Sequence, residues 1–84
     1  MHTEETIRLR GRNYAAAIDG CKGTTEAVDF YADALRTYGP DGVDWRQVNG
    51  ACLRRWQPST VDRIKRRAWK RVRSMDAAKK EGGA

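Results

Sequence analysis

The chain has 84 residues, 39% of them hydrophobic and 33% charged, and carries a net charge of +6 at pH 7. That length allows one domain around a single modest core. It contains no apolar run near the ~18 residues needed to cross a bilayer, and MHTEETIRLRGR lacks the apolar stretch of a signal peptide, so a cytoplasmic protein outside the membrane is expected.

The first predicted helix runs from about Glu4 to Asp19, with Thr3 as its N-cap. Ile7, Gly11, Tyr14, Ile18 and Cys21 recur at spacings of three and four and make one apolar stripe. Gly11, inside that stripe, either costs about 1 kcal/mol against Ala or marks a close helix crossing. GCKGTT is a breaker, with Gly20 and Gly23 as C-cap residues and Thr24 or Thr25 as the next N-cap. A second helix is predicted from about Glu26 to Tyr38, with Val28, Tyr31, Leu35 and Tyr38 on its apolar face. Gly39, Pro40 and the Asp41-Gly42 turn end it.

Asp44 opens a third helix, and Gln47 completes a capping-box pattern. Trp45, Val48, Cys52 and Trp56 form its core face, with Leu53 on the flank. Asn49 shares that face, where it is expected to bond a neighbouring helix terminus or the 39–44 loop. Gln57-Pro58 breaks the chain, Ser59 caps, and Asp62 holds the capping-box position of a fourth helix running from about Thr60 to the mid-seventies. Residues 1–3 and about 77–84 read as frayed ends. The expected fold is therefore all-α: a small four-helix single domain over residues 1–84 with a basic C-terminal helix.

The charge is concentrated in that last helix. Residues 1–53 hold six basic and eight acidic side chains, whereas residues 54–84 hold eleven basic and three acidic, so the C-terminal third carries the excess. At ~100° per residue, Val61, Ile64, Ala68, Val72 and Met75 share one narrow apolar stripe. Arg63, Arg66, Arg67, Lys70 and Arg73 fall on the opposite side. Lys65 and Arg71 flank the stripe, where their stems can lie along apolar surface. Trp69 sits at the border, closing the core edge or offering a ring beside the cations. Arg63/Arg67, Arg66/Lys70 and Arg67/Arg71 are like-charge pairs four residues apart, each costing a few tenths of a kcal/mol, which points to a polyanionic partner. Arg outnumbers Lys five to two in residues 62–73, and the guanidinium fork suits phosphate.

In layout, the last two helices resemble a helix-turn-helix, whose second helix enters the major groove. Residues 60–73, TVDRIKRRAWKRVR, also resemble the recognition helix of the promoter −35-reading domain of bacterial sigma factors, with Val61, Ile64, Ala68, Trp69 and Val72 at its apolar positions. The turn RWQPS carries Pro58 where helix-turn-helix motifs usually carry Gly. On this reading the protein is a small non-catalytic nucleic-acid binder, with DNA preferred to RNA. Arg63, Arg66, Arg67, Lys70 and Arg73 contact phosphates, Arg54 and Arg55 extend the patch with Arg71 at its edge, Thr60 and Arg63 are nearest the bases, and Trp69 offers a ring.

Other chemistries find little support. The single histidine, His2, leaves no Ser/His/Asp or Cys/His arrangement, and Asp41 and Asp44 are accounted for as a turn residue and a cap, so no enzyme activity is expected. Cys21 and Cys52, thirty-one positions apart in the numbering, cannot form a zinc site and read as small core residues; no metal or other cofactor is expected. Residues 24–44 carry five acids and only Arg36, which makes the molecule dipolar and leaves both monomer and homodimer open. The rival reading is an inhibitor or adaptor of the kind phages and mobile elements encode, docking its basic face on an acidic or nucleic-acid-binding surface of a larger complex.

Overall fold

The Thr6 amide donates to Thr3 Oγ1 at 3.2 Å, and this side-chain cap opens α1, Glu4–Asp19. The computed structural model describes residues 3–83, with side chains up to Ser74. After α1 come α2 (Thr24–Tyr38), α3 (Trp45–Arg55) and α4 (Pro58–Gly83), with no strand among the described residues. The chain is all-α with four helices, as its periodicity predicts.

The helix ends differ from expectation in three places. Helix α2 starts at Thr24, two residues early, behind an extended Gly23 that supplies no side-chain cap. Helix α4 starts at Pro58 itself, so Ser59 lies inside its first turn and does not cap it. Proline suits this position because its ring presets a helical φ and its missing N–H would have had no helical partner. The first amide bond of the helix is then Val61 N–H to the Gln57 carbonyl, at 3.0 Å. Helix α4 also continues to Gly83, past the mid-seventies, through a segment of Ala, Lys and Glu that favours helix and contains no proline. By contrast, Gly39 ends α2 as expected: its φ of 78° is left-handed, and its N–H returns to the Leu35 carbonyl at 2.9 Å.

The expected capping box at Asp44 is replaced by a junction between helices. The Asp44 amide donates to the Ile7 carbonyl of α1 at 3.1 Å, so it is not free to receive Gln47. Gln47 Nε2 donates instead to Asp44 Oδ2 at 3.0 Å and to the Arg8 carbonyl at 2.9 Å. Gly11 makes this approach possible: a Cβ there would lie 2.6 Å from the Asp44 carbonyl oxygen and 2.7 Å from its Cβ. The glycine within the α1 stripe thus marks a close crossing.

Most interhelix contact is made by α1 along α3 and by α2 along α4; α1 and α2 share less, and α3 and α4 less still. Ile18, Val28, Val48, Cys52 and Ile64 are the largest fully buried side chains, joined by Tyr31, Leu35, Val61 and Val72. Buried Ala27, Ala34, Ala51 and Ala68 let the helices close on one another. Met75, expected in the same stripe, lies outside the described side chains. Asn49 is satisfied by α2, not by a helix terminus: the Tyr31 hydroxyl donates to its Oδ1 at 3.1 Å, and the Trp45 ring packs against Tyr31 at 4.8 Å. Burial, reinforced by the nearby Cys52, pushes the Tyr31 hydroxyl up to about 12. Cys21 and Cys52 are both buried and unpaired by a disulfide, and burial pushes the Cys52 thiol up. Among the described residues no helix is long and apolar enough to cross a membrane.

Candidate functional site

Helix α4 is held by Val61, Ile64, Ala68 and Val72, all buried against the rest of the domain. Because 3.6 residues make a turn, docking that stripe turns the opposite face outward. Arg63, Arg66, Arg67, Lys70 and Arg73 are all exposed there. None of the five forms an ion pair with a described carboxylate; Arg66 makes one hydrogen bond, from Nε to the Asp62 carbonyl at 3.4 Å. Their charges are therefore uncompensated within the described structure. Like charges on neighbouring turns raise the local positive potential.

The flanking cations behave differently. Arg71 is half-buried and its Nη1 pairs with Asp29 Oδ1 of α2, which commits it to the α2–α4 contact. Arg54, at the end of α3, pairs through Nη2 with both carboxylate oxygens of Asp19, at 2.9 and 3.2 Å. Arg55 Nη1 donates to the Ile18 and Cys21 carbonyls at 2.8 and 2.6 Å and approaches Cys21 Sγ at 3.1 Å. Its guanidinium also lies over the Trp56 ring, 4.6 Å from the centroid. The last turn of α1 contains no basic residue, so Arg55 supplies the cation that a helix C-terminus favours. Of the ten residues singled out from the sequence, Arg54, Arg55 and Arg71 thus already have intramolecular partners.

Thr60 is half-buried in the first turn of α4, and Arg63 follows it on the exposed side. Trp69 is 39% exposed at the edge of the cationic face. Helices α3 and α4 are joined by only Trp56 and Gln57.

A feature that the periodicity did not single out lies between α1 and the start of α3. Glu5, Arg8, Leu9 and Arg12 of α1, with Asp44 and Gln47, line an open groove of about 420 Å³. Leu9 is 54% exposed in it and lies off the α1 core stripe, which is the one signal the sequence carried.

Comparison with known protein families, with curated proteins and with solved structures finds no match for this chain. The likeness of residues 60–73 to a sigma-factor recognition helix rests on those fourteen residues alone.

Proposed function

We propose that this protein binds nucleic acid without catalysis, DNA in preference to RNA, through the exposed cationic face of α4, and acts as a small regulator. The observation that carries this reading is the set Arg63, Arg66, Arg67, Lys70 and Arg73, exposed on one helix face and unpaired with any described carboxylate. Mixed charges would stabilise an ordinary solvated helix better, so a face of one sign is best explained by a polyanion. The preference for DNA rests on the helix-turn-helix-like order of α3 and α4. Thr60 and Arg63 lie nearest the bases, and the other four cations take phosphates. Arg54, Arg55 and Arg71 contribute through the fold, because each already has a partner in it.

Anisotropy titration of the purified protein with random-sequence duplex DNA tests this. Affinity should be measurable at low salt and fall steeply as salt rises. No binding at low salt, or binding indifferent to salt, would sink the reading. A defined protein partner retained after nuclease treatment, together with weak DNA binding, would instead favour an inhibitor or adaptor that docks on an acidic surface.

A further inference from the structure

We infer that Trp69 is a stacking platform for an unpaired base, so that the preferred ligand is single-stranded nucleic acid or a duplex with an unpaired stretch. This rests on the reading of α4 as the nucleic-acid face and deepens it. The three tryptophans are used differently. Trp45 donates its indole N–H to the Pro40 carbonyl at 2.9 Å and packs against Tyr31. Trp56 packs against the core and lies beneath the Arg55 guanidinium. Trp69 makes no hydrogen bond, ring contact or cation–π contact with any described residue, and it is the most exposed of the three.

Its place on the helix gives that exposure a use. Trp69 follows Arg66 by three residues and precedes Arg73 by four, so both cations stand on adjacent turns of the same side, with Cβ atoms about 5–6 Å away. A phosphate held by either arginine leaves its base within reach of the indole. In a duplex the base faces are covered by their neighbours; an unpaired base exposes a face to the ring. The cationic face supplies sequence-independent attraction, and Trp69 adds discrimination between paired and unpaired strands.

The test compares an oligo-dT of about 12 nucleotides with a duplex of the same length at equal low salt. The unmodified protein should bind the single strand at least about 5-fold more tightly, with a log–log salt slope near −3.5 for five phosphates, against about −4.5 for the duplex. Trp69→Leu keeps an apolar edge but removes the aromatic face. It should weaken single-strand binding by about 5- to 100-fold and duplex binding much less, while Trp69→Phe retains most of the affinity. Equal affinity of the unmodified protein for the two ligands would overturn this inference while leaving the phosphate-binding reading intact, and that comparison needs no variant to fold. Equal weakening of both ligands by Trp69→Leu would overturn it in the same way. Failure to bind either ligand at low salt would overturn the proposed function itself.

Discussion

Arg55 Nη1 lies 2.8 Å from the carbonyl oxygen of Ile18, so the last residue of α3 closes the last turn of α1. The same nitrogen reaches the Cys21 carbonyl at 2.6 Å, which ties down the breaker between α1 and α2. An arginine that reads as an extension of the cationic surface is thus a cap supplied from another helix. Arg55→Ala should lower stability by about 1–2 kcal/mol, seen as a lower urea midpoint with an unchanged slope. Affinity of the folded variant for nucleic acid should fall less than that of Arg67→Ala. The reverse order would place Arg55 in the binding face.

The contact between Gly11 and Asp44 sets the spacing of α1 and α3. Gly11→Ala raises helix propensity by about 1 kcal/mol, yet the new methyl meets the backbone of Asp44 at 2.6 Å. Separating the helices also strains the bonds from Asp44 N–H to Ile7 and from Gln47 to Arg8. A net loss of about 1–3 kcal/mol is expected in thermal or urea unfolding. A stabilised Gly11→Ala variant would show that the crossing is looser than this.

Tyr31 and Tyr14 both tie stability to alkaline pH, since burial raises both hydroxyls. The Tyr31 hydroxyl titrates at about 12 in the folded chain, against an ordinary value of 10.0. A pKa raised by folding means that the unfolded chain loses the proton first as pH rises. The contribution of this group is therefore complete below pH 10.0 and is lost on the way up to about 12. Tyr31→Phe should cost about 1 kcal/mol at neutral pH, because Asn49 loses its donor, and should make the alkaline loss shallower. Urea unfolding across alkaline pH, alongside tyrosinate absorbance, checks both parts; an unchanged alkaline limb would remove Tyr31 from the account.

Binding and stability should separate on the cationic face. Duplex binding through five phosphates predicts a log–log salt slope between about −4 and −5, and removing Arg67 or Lys70 should reduce its magnitude by about 1. Folding stability should stay within about 0.5 kcal/mol or rise slightly, since each change relieves a like-charge pair on the helix. Arg71→Ala should change the slope less, because its partner is Asp29. Salt-dependent anisotropy and thermal unfolding on the same variants check the separation.

Much of the candidate site was legible in the residues because α4 is amphipathic. Val61, Ile64, Ala68 and Val72 repeat with the helical period, and burying that stripe leaves only one side for Arg63, Arg66, Arg67, Lys70 and Arg73. The start of the helix was less legible, since Pro58 can end one element or begin the next. The partners of Arg54, Arg55 and Arg71 were not legible, although Arg71 was placed beside the apolar stripe, because side chains of one type look alike until their neighbours are known.

The sequence by itself determined the four helices, their buried faces and the one-sided charge of α4, since periodicity, caps and breakers act between residues a few positions apart. Only the tertiary structure decided which cations remain uncompensated. Arg54 meets Asp19 across 35 positions, Arg55 meets Ile18 across 37 and Arg71 meets Asp29 across 42. Those pairings depend on how α1 packs along α3 and α2 along α4. Helical period orients a side chain about its own axis, but the carboxylate or carbonyl it meets is set by the helix packed beside it.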